Sequence, residues 1–214
     1  MKIPTLSNNK LSISIDHLFT SLNYFIIFGI TLVFSTATRS VFEVNKIGIV
    51  KISIALLATI YTYDKCFNNS KNFYNFIENK FINISLLIVA ASNILSTIFA
   101  QNIRISIFGS YDRWEGLITF LFYIAYTFLI ANYKNKQFAI KIIWAIILAS
   151  GLSSLYGIVQ SYGLDVIQWS LDPSMRVFGS INNPVHYCAT MGMAIPIIIG
   201  TIFYESNNNT TPFI

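Results

Sequence analysis

Six apolar stretches, almost free of charged side chains, leave this chain little to be other than a bundle of membrane-crossing helices. They run over about 18–37, 47–63, 81–100, 117–132, 138–160 and 184–204. At a rise of 1.5 Å per residue, about 20 apolar residues cross the ~30 Å hydrocarbon layer. Lipid offers no hydrogen bonds to a backbone, so a helix, which satisfies its own, is the form such a stretch takes. Composition agrees: 54% of the 214 residues are hydrophobic and 11% are charged. A soluble domain carries about 25% charged residues. The expected fold is therefore all-α, a polytopic integral membrane helix bundle of about six transmembrane helices. Residues 1–17 form a cytoplasmic N-terminal segment, 18–204 the transmembrane domain and 205–214 a truncated tail. The start shows no cleavable signal, because 1–16 are polar and mixed and the first apolar run is long enough to span.

Basic residues set the expected orientation. With the N-terminus inside, Lys2, Lys10, Lys65, Lys71, Lys80, Lys134, Lys136 and Lys141 face the cytoplasm. Only Lys46 and Lys51 fall on the outer side, yet all four arginines do: Arg39, Arg104, Arg113 and Arg176. Arginine presents planar N–H donors that grip phosphate in a fork. Arginines held outward against the lysine trend point to a phosphate-bearing lipid or sugar; the structural alternative is charges solvated or paired with headgroups. The net charge of +5 is an orientation signal and not a nucleic-acid footprint, since no soluble basic face interleaved with aromatics is present. Cys66 and Cys188 fall on opposite sides and do not suit a disulfide.

Two outer loops concentrate chemistry. The first reads Ser106-Ile107-Phe108-Gly109-Ser110-Tyr111-Asp112-Arg113-Trp114-Glu115-Gly116-Leu117. Two glycines frame Asp112, Arg113 and Glu115 beside two aromatics. Gly109 suits a tight turn and Gly116 a close approach at a helix start. Asp112 and Glu115 share one face if the turn is helical. Carboxylates on either side of Arg113 either hold it rigid for a phosphate or neutralise it in a structural ion pair. The second loop carries Arg176, then Asn182 and Asn183 ahead of Pro184. Asparagine caps and first-turn proline mark a helix start, and a helix N-terminus attracts anions. Arg176, the two asparagines and that helix end are expected to converge on a phosphate. His186, one turn in, is either a proton carrier or a hydrogen-bonded interfacial histidine.

Other chemistries lack their patterns. No Cys/His cluster stands at metal spacing, no Walker glycine loop is present, and no nucleophile elbow occurs.

At these loops the chain resembles the O-antigen ligase/O-antigen polymerase family of bacterial membrane glycosyltransferases. The resemblance rests on Phe108-Gly109-Ser110-Tyr111-Asp112-Arg113-Trp114-Glu115-Gly116-Leu117, on Tyr156-Gly157-Ile158-Val159-Gln160 with Gly163-Leu164-Asp165, and on Arg176-Val177-Phe178-Gly179-Ser180-Ile181-Asn182-Asn183-Pro184. It spans roughly residues 80–204. It implies a multi-pass protein of the bacterial inner (cytoplasmic) membrane with extracytoplasmic active-site loops, acting in lipopolysaccharide or other polysaccharide biosynthesis. Members move a glycan from undecaprenyl pyrophosphate to a glycan, lipid or protein acceptor. Carried over residue by residue, Arg113 and Arg176 become donor-phosphate ligands. The family continues with a large outer loop and further helices, so a chain ending at Ile214 is expected to be its N-terminal part.

The mechanism expected is charge neutralisation of a departing diphosphate by arginines and a helix N-terminus. No metal or cofactor is called for, because arginine takes the electrostatic role. The competing class is non-enzymatic transport or flipping of a polyprenyl-linked glycan, which would place arginines inside the spans along a cavity.

Overall fold

A computed structural model of the protein describes residues 8–208 apart from 39, 69–71, 75, 77, 112 and 170–171, and the side chains of 15–205 apart from these, 68 and 136. The described residues form a helical membrane bundle with no strand. In chain order the helices are α1 (Asn8–Leu32), α2 (Glu43–Tyr63), α3 (Lys80–Ile98), α4 (Ile103–Phe108), α5 (Leu117–Ala131), α6 (Lys136–Ser161) and α7 (Pro184–Asn208). A π-turn, Asp64–Asn68, extends α2.

Five of the helices are long and apolar enough to cross a membrane. The sixth crossing, α5, has 15 residues. It therefore rises only about 22 Å, less than the hydrocarbon thickness. It starts at Leu117, as the apolar run places it, after a loop in which Trp114 has φ 54°. The loop expected over 101–116 contains α4, a single short helix capped by Asn102, whose Oδ1 accepts from the Ile105 amide at 3.2 Å. The second crossing starts at Glu43, four residues before the apolar run at Ile47, which brings Glu43 and Lys46 into the helix.

Packing follows close backbone approach and aromatic fill. α1 packs between α2 and α6, α3 pairs with α5, and α7 leans on α6. Gly29 brings α1 against α2: a Cβ there would stand 2.8 Å from Ile49 Cγ2. The core gathers Phe19, Ile26, Ile54, Leu57, Phe73, Leu129, Tyr133 and Phe138. Phe19 stacks on Tyr133 with ring centroids 4.2 Å apart.

The helix ends sort into two sets, as alternating crossings require. At one end lie the start of α1, the end of α2, the start of α3 and the α5–α6 connector. There Tyr133 donates to Asp16, Lys134 pairs with Glu78 at 3.4 Å, and Asn132 donates to Asn83 at 2.9 Å. Phe73 bridges to Tyr133 across this end. At the other end the C-termini of α1 and α6 meet the N-termini of α2, α5 and α7. Both chemistry-bearing loops belong to this second end.

Candidate functional site

The first loop is built by two glycines in contact. Gly109 ends α4 at φ 86°, a conformation that costs other residues strain. The Gly116 Cα lies against the Gly109 amide and the Ile107 carbonyl, so a Cβ at 116 would collide with backbone. Ser110 O accepts from the Arg113 amide at 3.2 Å and the Trp114 amide at 2.8 Å, and Thr119 donates to Trp114 O at 2.6 Å. Over its described residues the segment is a turn and not a helix. Asp112, like Arg39, lies outside the described residues.

The second loop hangs on Asp165. Its Oδ2 accepts from Trp169 Nε1 at 2.7 Å, Tyr156 OH at 2.9 Å and Gln160 Nε2 at 3.1 Å, while Oδ1 accepts from the Ile167 amide at 3.1 Å. Partial burial works against the charged form, but these donors outweigh it and hold the carboxyl below its ordinary pKa. Gln160, fully buried, passes the constraint on: its Oε1 accepts from the Gly179 amide at 2.9 Å. Gly179 has φ 54°, and a Cβ there would strike the Tyr187 ring. Ser180 then donates to Thr31 O and lies 3.1 Å from Ser153 Oγ. Asn182 takes φ 71°, and Asn183 caps α7 by accepting from the Val185 amide at 2.8 Å. The loop is thus anchored at Asp165 and again from Gly179 to the first turn of α7.

Between these loops and α2 opens a cleft of about 540 Å³. Arg113 and Glu115 line it from the first loop, Asn182, Asn183 and His186 from the second loop and α7, Glu43 and Lys46 from α2, and Tyr123 from α5. Arg113, Glu115 and His186 are exposed. Lys46 is 9% exposed, and its Nζ donates to Ser180 O at 2.5 Å. No described carboxylate comes within 4 Å of the Arg113 guanidinium or the Lys46 ammonium. The structural ion pair expected as the alternative for Arg113 is not formed with Glu115.

Arg176 stands apart. It lines a separate cleft of about 450 Å³ with Val177, Pro184, Val185, Tyr187 and Cys188. Pro184 and Val185 are thus shared with Arg176, whereas Asn182, Asn183 and His186 face Arg113. In place of the expected convergence, Arg176 and the two asparagines line different clefts. Arg104, exposed on α4, lines neither.

Sequence reading passed over Glu43, Lys46 and Tyr123. The available signal was the i, i+3 spacing of Glu43 and Lys46 just before an apolar run. It becomes informative only once the helix is known to start at Glu43. Among the described residues, no three His, Cys, Asp or Glu side chains gather as metal ligands. Compared with protein-family models, curated proteins and solved structures, the chain matches none.

Proposed function

We propose that the chain acts in the bacterial inner membrane as a glycosyltransferase of the O-antigen ligase or polymerase type. Its N-terminus lies in the cytoplasm and the cleft opens on the outer side. The donor is a glycan on undecaprenyl pyrophosphate and the acceptor is a hydroxyl of a glycan, lipid or protein. The supporting observation is the joining of Arg113, Asn182, Asn183 and His186, expected on separate sequence grounds, in one cleft between helix ends.

In this reading Arg113 holds the diphosphate through its guanidinium, and the first-turn amides of α7 add their dipole. The acceptor oxygen forms a bond to the anomeric carbon as the bond from that carbon to the diphosphate oxygen breaks. The acceptor proton passes to His186, and undecaprenyl pyrophosphate leaves with the bonding pair. Neutralising that charge as it develops is the main catalytic contribution. Glu115 and Glu43, on the same walls, orient sugar hydroxyls by accepting hydrogen bonds.

Transfer is measured with membranes holding the protein, a lipid-linked glycan donor and candidate acceptors. Arg113→Ala abolishes product while leaving membrane insertion intact; undiminished transfer in that variant removes the assignment. Movement of the donor across the bilayer with no product formed favours the transport reading instead.

A further inference from the structure

Lys46 is the cation of this cleft that the resemblance does not assign. It sits in the first turn of α2, is nine-tenths buried, and lies 6.0 Å over the Phe42 ring. Its ammonium has three N–H donors. One is engaged by Ser180 O, an uncharged acceptor. Glu43, three residues earlier, acts on it electrostatically but makes no contact within 4 Å, and neither does Glu115. A buried ammonium with one carbonyl acceptor, a ring face and no carboxylate in contact is costly unless an anion joins it. The same side chain lines the cleft beside Arg113, Asn182 and His186.

We propose that Lys46 is a ligand of an anionic phosphate group in this cleft, binding opposite Arg113 and tying that group to the Ser180 segment. The inference deepens the glycosyltransferase reading and rests on it for the diphosphate class of ligand. Arg113 comes from an exposed loop and supplies a planar fork; Lys46 comes from a helix and supplies a buried point charge. An anion bridging them joins α2 to the first loop. Through Ser180 O it also fixes the approach to α7, because Ser180 is bonded in turn to Thr31 O and beside Ser153. Lys46 is in this sense both ligand and positioning residue.

The test uses the full chain in lipid nanodiscs. Binding of inorganic pyrophosphate and of undecaprenyl pyrophosphate is measured for wild type, Lys46→Met and Lys46→Arg, together with unfolding temperatures without ligand. A lost charge-assisted hydrogen bond predicts about tenfold or more weaker binding of both probes to Lys46→Met. Lys46→Arg retains binding to within about threefold. If Lys46→Met does not fold, 13Cε-lysine labelling of wild type, with Lys46 assigned through Lys46→Arg, gives the readout: its resonance shifts saturably with pyrophosphate. Equal binding to Lys46→Met and wild type, or an unmoved Lys46 resonance, overturns the proposal. Binding of only the lipid-linked probe makes the lipid headgroup the source; binding of neither overturns it. Lys46-dependent binding without glycan transfer leaves the anion site standing and removes the transferase. Transfer with Lys46-independent binding does the reverse.

Discussion

Gly116 lies backbone to backbone against Gly109, seven residues earlier, and this contact closes the loop that carries Arg113. Neither partner has a flexible side chain to yield, since Gly116 faces the Gly109 amide and the Ile107 carbonyl. Gly116→Ala is expected to destabilise the protein by about 1–3 kcal/mol by forcing the loop open. Pyrophosphate binding weakens with it while the helical content of the bundle is unchanged. Circular dichroism and calorimetry on the same nanodisc sample check both halves.

The two arginines of the resemblance occupy different clefts, so their removal is expected to have unequal effects. Arg113→Gln lowers glycan transfer at least a hundredfold, as loss of a transition-state charge partner does. Arg176→Gln changes it by less than about tenfold, the worth of one exposed charge. Comparable losses in both variants would place Arg176 at the reacting diphosphate and contradict the separation of the clefts.

Gly179 adopts φ 54° with the Tyr187 ring against its Cα. Gly179→Ala meets backbone strain and a steric clash together, for about 2 kcal/mol or more. Gly163 also has a positive φ, of 67°, but open space around it. Gly163→Ala therefore carries only the strain, about 1 kcal/mol. Thermal unfolding of the pair in one detergent separates the two contributions.

Asp165 holds its loop through a carboxylate whose pKa is lowered in the folded protein. A lowered folded pKa contributes stability that is present above the unfolded value, about 3.9, and is lost as the pH falls through the folded value. The loop is thus expected to stay closed at neutral pH and to loosen only below about pH 4. In a background where Trp169 is the sole tryptophan, its emission reports the loss of the indole bond to Asp165. Asp165→Asn removes the transition and leaves the loop loosened at all pH values.

The far end of the bundle provides a control. Asn132 bonds Asn83 at 2.9 Å and the Phe128 carbonyl at 2.8 Å, and both asparagines are fully buried. Asn132→Ala leaves a buried amide without its partner and costs about 1–3 kcal/mol of stability. Pyrophosphate affinity is expected to stay within about twofold once unfolding is accounted for. A larger change would mean that the two ends are coupled through the helices.

Much of this was legible before any tertiary structure. Long apolar runs announce helices because lipid leaves the backbone no other way to satisfy itself, and the crossings stand where those runs are. Pro184 after two asparagines announces a helix start, and α7 begins there. Polar boundaries were less legible. The apolar run places the start of α2 at Ile47, but hydropathy cannot register Glu43 and Lys46 as helical, because charged residues are equally at home in a loop. The short α4 was hidden for a similar reason, since six residues are too few to show a periodicity.

The sequence by itself determined the membrane class, the crossings and the two glycine-framed loops, because those follow from local composition and from backbone conformations that few residues adopt. Only the tertiary structure decided which side chains share a cleft. Arg176 and Arg113 line different clefts, and the approach to α7 between them is held by Gln160, Gly179 and Ser180 bonding across helices. The arrival of Lys46 beside Arg113 likewise depends on α2 meeting a segment 134 residues away. Contacts of that range leave no periodic trace along a chain, because they are set by how helices pack and not by what lies next in sequence.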